Sequence, residues 1–188
     1  MGPKPLAVLL GLAAVVSTGA LTLVAAAAHG TAPVPAHRSA ADGLGFTRVS
    51  RAAPGFTLPR LTGSGDVGVR TLAGQGIVIN FWASSCSVCR QEGPAIAQVA
   101  RATRGRVRFL GIDTLDSRSA AQAFARRYGL TFPLAFDDRG LAADRYGVPG
   151  LPETFFLSRD GQRVIGINLG AVTGPALTAI LRQLYGVA

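Results

Sequence analysis

Seven consecutive residues, Gly76-Ile77-Val78-Ile79-Asn80-Phe81-Trp82, constrain this chain more than any other stretch. They are β-branched and aromatic with no polar alternation, the pattern of a strand buried on both faces. Such a strand sits in the middle of a sheet that is covered on two sides, which calls for helices as the covering layers. The run leads directly into Ala83-Ser84-Ser85-Cys86-Ser87-Val88-Cys89. Beyond it Ala95, Ile96, Val99 and Ala100 recur at helical spacing, so a helix is expected from around the cysteines to about Ala102, kinked at Pro94.

The rest of the chain repeats this logic. Val107–Ile112 reads as a second strand, ending in Asp113. Asp116 or Ser117 caps a helix through Ala120, Ala121, Phe124 and Tyr128, closed by Gly129. An extended piece at Phe132–Phe136 and a small helix at Leu141–Tyr146 follow. Thr154–Ser158 and Val164–Leu169 flank the turn signal Asp160-Gly161, and Pro175 opens a last helix with Leu177, Ile180, Leu181 and Leu184 on one face. Upstream, Phe56–Leu61 and Val67–Val69 form a hairpin across Gly63–Asp66. The order is a β-α-β half, a linking helix and a β-β-α half. The expected class is α/β, a mixed central sheet flanked by helices.

Composition narrows the function. With 188 residues and 48% hydrophobic content, one folded domain is expected. His29 and His37 are the only histidines, so nothing after residue 50 supplies an imidazole base or a His-ligated metal. The net charge of +9 comes almost wholly from arginine, Lys4 being the single lysine. The arginines are scattered, and the one local group (Arg101, Arg104, Arg106, Arg108) has no interleaved aromatics, so a nucleic-acid partner is not expected.

Leu6–Ala28 carries no charge and follows Lys4 and the amino terminus. This is the layout of a signal peptide or a membrane anchor, and its length favours a retained anchor over residues 1–28. The domain is then expected outside the cytoplasm, with membrane contact through residues 6–28. Residues 29–50, rich in Ala, Pro and Gly, read as a flexible tether, and residues 51–188 as the folded domain.

Cys86-Ser87-Val88-Cys89 is the one reactive constellation. Two cysteines three apart at a helix start can close a small ring. The unpaired N–H groups and positive dipole end of the helix favour a thiolate at Cys86, and Cys89 lies a turn deeper. That division suits thiol–disulfide exchange, with Cys86 attacking and Cys89 resolving the mixed disulfide. The alternatives lack their parts. A metal would need two further ligands, haem attachment would need His where Arg90 stands, and a three-residue loop stabilises little as a purely structural link. A peroxide-reducing cysteine would normally have Thr where Ala83 stands. No cofactor or metal is expected beyond the cysteine pair itself.

APGFTLP (Ala53–Pro59), VINFWASSCSVCRQEGP (Val78–Pro94) and VPGLPETFFLSRDG (Val148–Gly161) together resemble the TlpA/ResA-type thioredoxin-like proteins, membrane-tethered thiol–disulfide oxidoreductases outside the bacterial cytoplasm. The resemblance runs from about Arg51 to the end. It implies a thioredoxin-like fold with an N-terminal hairpin at Phe56–Val69 and a central helical insertion at about Ser117–Tyr146. It implies that Pro152 is a cis-proline opposite the cysteine pair, which leaves the backbone of Leu151 to pair with an extended partner. Glu92 takes the place of a proton acceptor for Cys89, because Asn80 stands where many thioredoxins carry a buried acid. Glu153, beside the proline, is a possible tuner. Trp82 and Ser85 complete the expected substrate face. The partners implied are exported protein thiols or disulfides and a membrane electron donor. The direction implied is reduction, as in cytochrome c maturation; disulfide formation in secreted proteins and a non-catalytic binding module are the alternatives. Two positions depart from the pattern: Ser85 where the family usually has Trp, and Val88 where it often has Pro.

Overall fold

Every residue of Gly76–Trp82 is buried, and the strand has a hydrogen-bonded neighbour on each side. The protein was analysed as a computed structural model, which describes residues 45–187 and residue 2. The described chain runs β1 (Gly45–Ala52), β2 (Leu58–Pro59), β3 (Asp66–Val67), a 3₁₀ turn (Val69–Leu72), β4 (Gly76–Trp82), α1 (Ser87–Ala102) and β5 (Val107–Thr114). It continues with α2 (Arg118–Tyr128), β6 (Leu134–Asp137), α3 (Leu141–Tyr146), β7 (Glu153–Leu157), β8 (Arg163–Leu169) and α4 (Gly174–Tyr185). Six strands form one sheet in the order β1-β8-β7-β4-β5-β6. β4, β5 and β6 are parallel, while β7, β8 and β1 run antiparallel to their neighbours. This is the expected mixed α/β, thioredoxin-like arrangement.

The period of two in β4 decides what lies on each side. Ile77, Ile79 and Phe81 join one core layer with Tyr146 of α3, Phe155 of β7 and Val67 of the hairpin. Val78 points the other way and packs with Ile96 and Val99 of α1 and with Leu177, Ile180 and Leu181 of α4. Trp82, on that second face, joins a third cluster with Cys89 and with Phe124 of α2. Asn80 lies between Val78 and Trp82 in this alternation, so its amide is directed at α1. Tyr185 closes the far end, its hydroxyl lying 2.9 Å from the Ile77 carbonyl and 2.8 Å from that of Leu157.

The helix ends follow their local chemistry. Ser117 caps α2 through its hydroxyl, which accepts from the Ala120 N–H at 3.3 Å. Gly129 ends that helix at φ 65°, the left-handed conformation that favours glycine. Pro94 lies inside α1 on its exposed side, and the helix continues to Ala102. The β2–β3 hairpin leans on the edge of β6, with the Leu61 N–H donating to the Leu134 carbonyl at 2.8 Å.

One boundary is corrected. Residues 45–50, expected in the tether, are part of β1, which pairs with β8 from Gly45↔Leu169 to Ala52↔Arg163. This edge strand carries only two large apolar residues, on opposite faces: Phe46, edge-on to Phe156 at 5.6 Å, and Val49 against the other core layer. With one anchor per face it shows neither a run nor an alternation. The leader expected at 1–28 and the tether expected at 29–44 lie outside the described residues. Among the described residues no helix is long and apolar enough to cross a membrane.

Candidate active site

Cys86 occupies the N-cap of α1, and its Sγ accepts from the Cys89 N–H at 3.0 Å. An N-cap side chain meets the orphan N–H groups of the first turn, where the dipole end favours negative charge. The two cysteines are joined as a disulfide, with Cα atoms 5.2 Å apart. Their environments differ: Cys86 is half-buried, whereas Cys89 is 1% exposed within the cluster of Trp82 and Phe124. One sulfur faces a partner and the other is shielded behind it.

The loop leading to Cys86 is held from two sides. The Arg90 guanidinium reaches back to the carbonyls of Ser84 (2.9 Å) and Ser85 (3.3 Å). The Asp116 carboxylate accepts from the Ser84 N–H at 2.6 Å and from the Ser117 N–H at 2.7 Å. Burial alone would raise the Asp116 pKa, but these hydrogen bonds outweigh it and hold the group below the usual carboxylate range. Asp113, paired with Trp82 across β4 and β5, is fully buried. Desolvation, reinforced by the charges of Asp116 and Asp137 and opposed by Arg118, pushes its pKa up to about 8. The sequence marked Asp113 only as the end of a strand; an acid within a strand of buried residues was the available signal.

Glu92 lies one helical turn beyond Cys89 and is 3% exposed. Its Oε1 accepts from Asn80 Nδ2 at 2.8 Å and its Oε2 from the Val172 N–H at 3.1 Å. Asn80 Nδ2 also donates to Thr154 Oγ1 at 3.1 Å. Loss of hydration raises the Glu92 pKa to about 7, the two hydrogen bonds only partly offsetting it. The structure brings Glu92 and Asn80 into contact and adds Val172, which no local pattern marked.

The Leu151–Pro152 peptide bond is cis. Leu151 is half-buried and packs against the same cluster as Cys86. Among the described residues neither the N–H nor the carbonyl of Leu151 has a hydrogen-bond partner. Ser85 is exposed. Glu153 is buried beside Pro152, and desolvation, opposed by Arg51, raises its pKa to about 7. Trp82 is the correction. Expected on the substrate face, it is 1% exposed and stacks on Phe124 with centroids 4.5 Å apart. It is enclosed behind the cysteine pair, in the cluster that holds Cys89. Gly111 leaves the space for it, since a Cβ there would meet Leu134 at 2.7 Å and the indole Nε1 at 2.9 Å. No cluster of three or more metal-ligating side chains occurs among the described residues.

Known proteins are similar to this chain in sequence and fold. Residues 49–163 match the model of the AhpC/TSA family. The thiol–disulfide oxidoreductase ResA of Bacillus thuringiensis is 29% identical over 138 residues, covering 73% of this chain and 79% of the relative. The thioredoxin-like protein YneN of Bacillus subtilis is 32% identical over 124 residues, or 64% of this chain and 71% of the relative. The crystal structure of a secreted Mycobacterium tuberculosis disulfide oxidoreductase homologous to DsbE of E. coli superposes with a TM-score of 0.62 at 32% identity, covering 69% of this chain and 96% of that one. The chain belongs to the AhpC/TSA family and, within it, to the thioredoxin-like thiol–disulfide oxidoreductases of the ResA type.

Proposed function

We propose that this protein is an extracytoplasmic reductase of exported proteins, with Cys86 as nucleophile and Cys89 as resolving thiol. The observation that carries this reading is the asymmetry of the pair, a half-buried sulfur at a helix N-cap bonded to a buried one. In the reduced domain the Cys86 thiolate attacks one sulfur of a partner disulfide. The partner's other sulfur leaves as a thiolate and takes a proton. Cys89 then loses its proton, attacks Cys86 and expels the second partner thiolate. The partner gains two electrons and two protons, and the domain ends as the disulfide.

Glu92 is the proton acceptor in this scheme. A carboxyl with a pKa of about 7 is poised between its two forms at neutral pH, which suits a group that takes and returns a proton each cycle. Leu151, with both backbone groups unpaired, is the place where an extended partner segment adds as a short strand next to Pro152. Secretion of the Mycobacterium relative supports a site outside the cytoplasm, as does the uncharged stretch Leu6–Ala28. A protein that reduces others there needs its own electron donor, which we assign to a membrane protein. Cytochrome c maturation is a process that uses such a reductase.

One observation favours a second reading, a disulfide-forming oxidase. The N–H donated to Cys86 Sγ would persist in the reduced state and stabilise a thiolate, which makes the disulfide a stronger oxidant. Equilibration with glutathione separates the two. A midpoint near about −270 mV, the range of thioredoxin, supports the reductase, and one near about −120 mV, the range of strong periplasmic oxidants, overturns it.

A further inference from the structure

The exchange steps above leave one groove unused. It encloses about 440 Å³ between the loop that leads to Cys86, the end of β5, the start of α3 and the turn before Pro152. Ser85 and Leu151, the residues immediately before Cys86 and Pro152, both line it, so it is continuous with the place where a partner's sulfur must arrive. Its walls include Leu115, Val148 and Pro149.

One of its residues is at odds with the needs of the fold alone. Leu115 is 70% exposed and holds φ at 54°, the left-handed region that L side chains enter at an energetic cost. A strained, exposed leucine contributes little to the core. Strain of this kind clusters where a chain is shaped for binding.

We propose that this groove is a side-chain subsite, occupied by a bulky apolar residue adjacent to the partner's reacting cysteine. Leu115 is its specificity-determining wall. The inference rests on the exchange reading above. An extended segment bonded through its cysteine to Cys86 directs successive side chains to alternate sides, so a neighbouring side chain falls to the Ser85 side and into the groove. Covering Leu115 there removes apolar surface from water. The exposed rim carries one charge of each sign, Arg139 and Asp144, which gives no net pull on a charged residue. Selection in this groove is therefore by apolar bulk.

The test uses the reduced, full-length protein and short synthetic peptides whose single cysteine is capped as a mixed disulfide with thionitrobenzoate. The peptides differ in having leucine or glycine on both sides of the cysteine, and the rate is read from release of the coloured thiol. The leucine-flanked peptide is expected to react about tenfold faster. Leu115→Gly relieves the strained backbone, so its Tm should equal or exceed that of the native protein. In that variant the tenfold preference should vanish, and in Leu115→Met it should persist. Equal rates for the two peptides on the native protein, or a preference that survives Leu115→Gly, overturns the proposal. So does a change of oligomeric state in Leu115→Gly with peptide rates unchanged, which assigns the groove to a second copy of the chain. If the native protein releases no thiol from any peptide, the exchange reading itself fails.

Discussion

Replacing Cys86 by serine is expected to abolish the reduction of insulin, a loss on the order of 10³-fold or more, whereas replacing Cys89 should stop the reaction halfway. The two outcomes differ because the two sulfurs occupy different places. Cys86 is half-buried at the N-cap of α1 and receives the Cys89 N–H, whereas Cys89 is enclosed by Trp82 and Phe124. A serine at position 86 keeps the cap but stays protonated near neutral pH, so no nucleophile remains. A serine at position 89 leaves the attacking sulfur in place and removes the group that displaces the partner. Cys89→Ser therefore accumulates mixed disulfides through Cys86, and mass spectrometry of the trapped adducts identifies the partner cysteines. Insulin reduction by Cys86→Ser at the native rate would remove the assignment.

The oxidised domain is expected to lose stability as pH rises from about 4.5 to 8, the reverse of the usual trend among carboxylate-rich proteins. The cause is the set of buried acids around the active site. Glu92 and Glu153 have folded pKa values of about 7 and Asp113 one of about 8, all raised above their ordinary values chiefly by desolvation. Between the ordinary and the folded values the unfolded chain has released protons that the native state still holds. Stability then falls with pH through that window. Asp116 works in the opposite sense, because its depressed pKa stabilises the fold above the ordinary carboxylate range, but that contribution is complete by about pH 5. Each raised group is worth on the order of a few kcal/mol, so Tm at pH 8 should lie at least roughly 10 °C below that at pH 5. In the oxidised protein neither cysteine titrates. Asp113→Asn should remove the largest single part of the slope and Glu92→Gln and Glu153→Gln smaller parts, as measured by thermal unfolding. A flat or rising Tm over the same range contradicts the assignment.

These acids also show where sequence reasoning stops. β4 was legible as an unbroken apolar run, and α1, α2 and α4 because their apolar residues repeat at a period of 3.6 and their ends carry Cys86, Ser117, Gly129 and Pro175. β1 was not, because a bulged edge strand with one anchor per face has no period to read. The Cys86–Cys89 pair was legible from spacing and placement, and Glu92 from a resemblance. The contacts that tune them were not. Val172 reaches Glu92 across 80 positions, and Asp116 reaches Ser84 across 32; both are products of packing. Trp82 was misread when the resemblance was taken to put it on the substrate face, because its parity with Val78 puts it on the α1 side of the sheet. Leu115 carried no signal at all, since a positive φ at a leucine cannot be read from composition.

The most direct measurement is the pH dependence of alkylation of the reduced protein, with each cysteine followed separately by mass spectrometry. One thiol, Cys86, should react rapidly with a midpoint well below the value of about 8.5 for a free cysteine, and Cys89 should lag far behind it. Equal rates at both cysteines, with midpoints at or above about 8.5, would contradict the account.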